Sequence, residues 1–454
     1  MKTFAASSTK ISNSSVAQTS AQARVNRLWI VIGTVIVQMG LGTIYTWSLF
    51  NQPLADKFGW ALDGTAMTFS ITSFALAFAT LFSGKLQDKF GIRKLIAASG
   101  ILLGIGLMLS SQVSSLGLLY LVAGVIVGYA DGTAYMTSLS NLIKWFPKHK
   151  GLMSGVSVGA YGTGSLIFKY VNGAMIESRG VSQAFLIWGI VVLAMVTFGS
   201  LLIREAVVGA SPAAASGRRV KDFTVKEMLK TKQAYLLFVV FFTACMSGLY
   251  LIGSVKDIGV RLAGLDAATA ANAVAMIAVF NTAGRLILGP LSDKVGRLRV
   301  VSGALLVTFA AVTVLSFATL TYPLFFASVA AITFCFGGNI TVFPAIVSDF
   351  FGLKNQGKNY GVIYQGFGLG ALSASFIAAL LGGFKPTFLV IGVLCALSFL
   401  IALFVKAPRT PESETSEDAR SGEEAQSQSA GAHGKAPQGK ESKGLRFNPQ
   451  TKGI

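Results

Sequence analysis

The segment Gly84-Lys-Leu-Gln-Asp88-Lys-Phe-Gly91 returns as Gly289-Pro-Leu-Ser-Asp293-Lys-Val-Gly296, 205 positions further on, and each copy follows an apolar stretch. The echo holds elsewhere. Tyr45 matches Tyr250, Gly132 matches Gly337, and the glycine-rich run Gly155–Gly164 matches Gly361–Gly370. A hydrophobic chain that repeats itself once, half by half, is expected to build two related membrane bundles with a transport site between them.

Composition supports lipid as the solvent. Apolar residues make up 53% of the 454, charged residues 13%, and the mean hydropathy is +0.63. A water-facing surface on a chain of this length needs more charge. The 50 glycines fit, because small residues let membrane helices approach closely. Cys245, Cys335 and Cys395 all lie in apolar runs, with no spacing that would hold a metal.

Twelve apolar stretches reach the roughly 20 residues that span a bilayer. They cover 27–50, 64–84, 94–112, 116–142, 150–171, 184–204, 234–257, 268–290, 299–318, 323–347, 358–382 and 387–406. The fold class expected is an all-α membrane protein, twelve transmembrane helices in two pseudo-symmetric six-helix bundles, 27–204 and 234–406. The tails, 1–26 and 407–454, read as disordered, and the first span as an uncleaved anchor. Residues 205–233 join the halves; within them Lys221–Lys230 is basic and amphipathic and could form a short helix on the membrane surface.

The net charge of +19 is a topological signal. With a cytoplasmic N-terminus, 31 of the 38 Lys and Arg fall in the tails and inner loops. The positive-inside rule then places both termini in the cytoplasm, in a bacterial inner membrane, and removes any reason to invoke nucleic acid.

Arg285 is the residue hardest to explain by packing. It lies within the apolar run 273–288, with Asn281 one turn earlier on the same face. A guanidinium keeps its proton, and its insertion into hydrocarbon costs about 2.5–3.5 kcal/mol. It must therefore face a cavity, a carboxylate or a substrate. Its first-half counterpart is Thr80, so the charge belongs to one half only. Asp131, about 20 Å from Lys144 along its helix, is the one carboxylate well inside a span. It could take up a proton and couple it to transport, or pair with Lys169; the two readings are compatible.

The two repeated segments, Gly-x-x-x-Asp-Lys-x-Gly, resemble the cytoplasmic signature loop of the major facilitator superfamily. In that reading Gly84 and Gly289 let helices touch, Asp88 and Asp293 meet a helix N-terminus or a basic partner, and Gly91 and Gly296 turn the chain, so that the set gates the inner mouth. Lys144-Trp-Phe-Pro-Lys-His-Lys-Gly-Leu-Met-Ser-Gly155, Ser348-Asp-Phe-Phe-Gly352, Lys358-Asn-Tyr-Gly361 and Gly42-x-x-Tyr45-Thr-Trp47 are similar to the oxalate/formate antiporter subfamily. The likeness to its pyruvate-induced inner-membrane branch is strongest at Tyr45–Phe50, Ala244–Tyr250 and Asn359–Tyr364. The resemblance implies that Arg285 binds the substrate carboxylate and that Tyr45, Tyr135, Phe336 and Tyr364 wall the pocket. It also puts Phe367 where that subfamily has a second cation, a lysine. One cation suits one carboxylate, so a monocarboxylate such as pyruvate, formate or lactate is expected rather than oxalate.

Gln38, Asn339 and Gln365 are further polar candidates, equally suited to interhelical hydrogen bonds. No phosphate-binding glycine loop and no nucleophile–base pair is visible, so neither ATP-driven transport nor an enzyme is expected, and nothing calls for a cofactor. The reading is a monomeric secondary carrier of a small organic anion, with proton coupling left open. A membrane sensor of a small acid that signals through its tail, and a proton-coupled drug or organic-anion exporter, are the competing classes.

Overall fold

A computed structural model describes residues 26–206 and 221–408; the tail expectations and part of the central loop lie outside them. The described residues are helical throughout their regular structure, with no strand. Eleven helices are long and apolar enough to cross a membrane. One of them, Lys150–Leu202, has 53 residues, about 80 Å of helix and far more than one crossing needs. It breaks at Gly180, whose φ of 79° and ψ of 163° suit glycine alone, and so supplies two spans.

We number the spans α1 (27–58), α2 (Leu62–Phe90), α3 (Ile92–Ser110), α4 (Leu116–Trp145), α5 (150–179), α6 (181–202), α7 (Lys232–Ala263), α8 (Ala267–Val295), α9 (Arg297–Phe317), α10 (Tyr322–Phe351), α11 (356–381) and α12 (Phe384–Phe404). Several run past the apolar limits. The two repeated segments, expected as loops, are the last turns of α2 and α8. The helices end only at Gly91 (φ 76°) and Gly296 (φ 108°), because nothing before those glycines forbids helix in the first copy and Pro290 interrupts only one bond in the second.

Large apolar side chains such as Phe74, Phe78, Leu102, Ile190, Leu306 and Phe404 cover the outside, while polar and aromatic groups gather within. This is the reverse of a soluble helix bundle, as lipid contact requires. The helices of each half meet through equivalent close approaches. A Cβ on Gly132 would lie 2.1 Å from the Leu76 carbonyl oxygen, and one on Gly337 would lie 2.1 Å from that of Asn281. These two contacts seat α4 on α2 and α10 on α8. The halves face each other along α2–α11 and α5–α8.

The Lys221–Lys230 segment contains a short helix. Its helix is one short turn, Val225–Leu229, started by a capping box between Thr224 and Glu227. Phe223 and Met228 are buried against protein, and the Phe223 backbone N–H donates to the Phe351 carbonyl at 2.9 Å. Asn355 and Asn359 donate their side-chain amides to the Phe223 carbonyl at 3.0 Å. Paired backbone groups and buried apolar side chains hold the segment on the turn between α10 and α11.

Candidate functional site

Arg285 projects from α8 into the seam between the halves and is 2% exposed. Its Nη1 donates to the Val158 carbonyl on α5 at 3.0 Å, and its Nε to the Asn281 Oδ1, one turn back, at 3.3 Å. Gly162 on α5 leaves the room this requires, since a Cβ there would come within 3.5 Å of Nη1. Among the described residues five ion pairs form, and Arg285 belongs to none. A guanidinium has five N–H donors, so these two bonds and a further one toward the Tyr45 hydroxyl leave donors to spare.

Those donors border a cavity lined by Tyr45, Leu76, Tyr135, Val158, Tyr161, Arg285, Ile340 and Tyr364. The space open to a water-sized sphere is about 10 Å³, room for about one water. The walls must part before any organic acid can enter. A wider groove of about 660 Å³ between α7 and α12, bordered by Lys232, Leu236, Phe404 and Lys406, lies away from Arg285.

The aromatic walls have a definite order. Tyr161 meets Tyr45 and Tyr135 edge to face, with centroids 5.2 and 5.5 Å apart. Tyr135 also meets Tyr364 at 5.5 Å. Tyr364 reaches the cavity because α11 tightens there, between the helices Gln356–Ile363 and Gln365–Leu381. Of the residues expected to form the pocket, Arg285, Tyr45, Tyr135 and Tyr364 line it, and Asn281 orients Arg285 from behind. Phe336 and Phe367 do not. Phe336 lies over Gly248, wedged between α10 and α7, and Phe367 stacks behind Tyr364 at 5.2 Å and 14°. Both rings sit one layer outside the cavity because their helix faces point at neighbouring helices. Gln38 and Gln365 are spent on interhelical bonds, to Ser138 at 2.9 Å and to the Ala77 carbonyl at 2.7 Å.

Asp131 is fully buried on α4. Its Oδ1 accepts from the Tyr161 hydroxyl at 3.3 Å, while its Oδ2 has no partner. The pairing with Lys169 is absent: Lys169 is half-exposed, and its ammonium lies 5.9 Å from the Tyr170 ring. Tyr161 went unnamed in the sequence. A signal was available, because Tyr161 stands in the first-half glycine run where Phe367 stands in the second.

At the end carrying the basic loops, the two repeated segments bind the opposite half in different ways. Gly84 packs on Lys358 of α11, and the Lys358 ammonium pairs with Asp88. Gly289 packs on Gly151 of α5, where Asp293 accepts from the backbone N–H groups of Gly151 and Leu152 at 3.0 and 2.7 Å. A carboxylate on the first turn of a helix is favourable electrostatically. Arg297 bridges Asp293 (2.6 Å) and Asp349 (2.9 Å), and Lys150 completes the cluster with Asp349 at 2.6 Å. The alternatives foreseen for these aspartates are thus both used, a basic partner by Asp88 and a helix N-terminus by Asp293.

A family model for the Major Facilitator Superfamily matches residues 30–280 and 250–447. The chain belongs to that superfamily. It is 46% identical over 345 residues to the uncharacterized MFS-type transporter YhjX of Escherichia coli (strain K12), covering 76% of this chain and 86% of that one. It is 28% identical over 391 residues to the oxalate:formate antiporter of Oxalobacter formigenes, covering 83% and 90%. The solved proton:xylose symporter XylE matches in fold, with a TM-score of 0.66 at 14% identity over 84% of this chain and 96% of that one. Family and fold are those of membrane carriers, not enzymes.

Proposed function

We propose that this superfamily member carries a small monocarboxylate of the pyruvate, lactate or formate kind by alternating access between its halves. The observation that carries the reading is Arg285, a buried cation with spare donors and no carboxylate partner among the described residues, at the edge of an aromatic cavity. A carboxylate can satisfy a guanidinium through two parallel charge-assisted bonds, and the surrounding rings exclude water that would weaken them. Arg285 is the one cation that lines the cavity among the described residues, so a dicarboxylate would bring one charge too many into a poorly solvating site. Relatives named for such cargo support the class: human monocarboxylate transporter 11 is 26% identical over 284 residues, and the apicoplast pyruvate carrier 1 of Toxoplasma gondii 25% over 461.

The basic end is taken as cytoplasmic from its Lys and Arg, which puts both termini on the cytoplasmic side of a bacterial inner membrane. Gly84, Asp88 and Gly91, with Gly289, Asp293 and Gly296, then form the inner gate, drawn shut. The cavity opens next toward the other side, the anion binds Arg285, and the halves rock about it.

Counterflow of labelled pyruvate in proteoliposomes tests the site. Two charge-assisted bonds at about 1.5–3 kcal/mol each predict that Arg285→Gln loses at least about 100-fold, and that Arg285→Lys fails to restore the rate because a point charge cannot reproduce the fork. Wild-type counterflow by Arg285→Gln would refute the assignment. A panel of one- to four-carbon acids identifies the cargo.

A further inference from the structure

The buried carboxylate and the buried cation lie on opposite halves, and one side chain stands between them. Tyr161, on α5, is 3% exposed. Its hydroxyl donates to Asp131, while its ring touches Tyr45 and Tyr135 and borders the same cavity as Arg285. We propose that Tyr161 couples proton uptake to anion binding, because its one hydroxyl proton can serve either Asp131 or the substrate carboxylate, but not both. The idea rests on the carrier reading above and names a residue that reading does not use.

A phenol has a single O–H to donate. With the cavity empty it serves Asp131 Oδ1, the carboxylate's one hydrogen bond, since Oδ2 is unpartnered. An anion arriving at Arg285 presents a second acceptor to the same hydroxyl. If Tyr161 turns to it, Asp131 is left buried without a donor, a state a carboxylate escapes by binding a proton. That proton comes from water on the side then open and leaves to water on the other side, along with the anion. Charge balance favours the same outcome. An added anion brings one negative charge into the buried seam, and one added proton compensates it.

The other ionisable groups around Asp131 do not supply an alternative donor. Tyr135 on α4, Tyr45 on α1 and Tyr364 on α11 lie across the ring cluster, while the hydroxyl that reaches Asp131 is that of Tyr161. Lys169, on α5, pairs with no carboxylate among the described residues and sits by the Tyr170 ring. The spans α2 and α3 carry ionisable side chains only near their ends.

The coupling is reciprocal, so proton and anion each raise the affinity for the other. The test uses the full-length carrier in proteoliposomes and measures pyruvate affinity against pH, gradient-driven uptake, and counterflow at equal pH. Wild type is expected to lose affinity by up to about tenfold per pH unit as pH rises, the limit for one linked proton. Tyr161→Phe keeps the ring contacts and is expected to slow counterflow several-fold, to flatten the pH slope to less than about twofold, and to abolish accumulation driven by an acid exterior. Asp131→Asn should flatten the slope in the same way. A wild-type slope in either variant would overturn the proposal, as would Tyr161→Phe that loses counterflow with its slope unchanged. Absence of pyruvate counterflow in the wild-type protein would instead overturn the cargo assignment.

Discussion

Replacing Asp293 by asparagine should open the basic end far more readily than the same change at Asp88. Asp293 is 14% exposed, holds two N–H groups of α5, and pairs with Arg297. Hydrogen bonds to an ionised group contribute about 1.5–3 kcal/mol, against about 0.5–1.5 for neutral ones. An asparagine keeps one weakened acceptor contact and loses the charge. The closed state then loses about 2–4 kcal/mol relative to one in which α5 and α8 have parted, a population shift of about 30- to 1,000-fold. Asp88 is 63% exposed and its partner Lys358 30%, so Asp88→Asn should cost about 0–1 kcal/mol and shift the balance less than about fivefold. Ser154 provides the readout. It is fully buried on α5, with its hydroxyl donating to the Thr341 carbonyl on α10 at 2.5 Å. In a background with Cys245, Cys335 and Cys395 replaced, a cysteine at Ser154 should react with a maleimide in proportion to the open population. Equal alkylation rates in the two variants, or an unchanged rate in Asp293→Asn, would refute the reasoning.

Two further expectations concern residues outside the cavity. Phe367→Lys should not create a dicarboxylate carrier: the new charge would sit behind Tyr364 without a partner and destabilise the fold by about 3–5 kcal/mol, which thermal unfolding and an oxalate counterflow assay would check. Glu227, held by Lys221 and by the backbone and hydroxyl of Thr224, is depressed to about 2. A depressed carboxylate contributes its stability above the unfolded value and loses it as pH falls through the folded one. The 221–229 segment should therefore resist pepsin at about pH 4 and become cleavable near Phe223 as pH approaches 2, whereas Glu227→Gln should be cleaved equally across that range.

Some of the candidate site was legible in the residue string. Arg285 announced itself by charge in an apolar run, and Asp131 did likewise, because the cost of burying a charge depends on residue type and surroundings alone. Tyr45, Tyr135 and Tyr364 were reached through resemblance. Phe336 and Phe367 were placed in the cavity on the same ground and turned out to stand behind it, since a rotation of about one residue around a helix axis decides whether a ring faces a void or a neighbour. Tyr161 was missed for the same reason in reverse.

The string by itself determined the solvent, the near-duplication of the halves, the approximate spans and the presence of one unmatched cation. These follow from hydropathy and from glycine spacing, which are properties of short segments. The tertiary structure decided the partnerships: Asp131 with Tyr161 instead of Lys169, a capped four-charge cluster at one repeat and an exposed pair at the other, and a linker seated on the turn between α10 and α11. Such pairings depend on how helices distant in sequence cross and rotate against each other, and no local pattern carries that information.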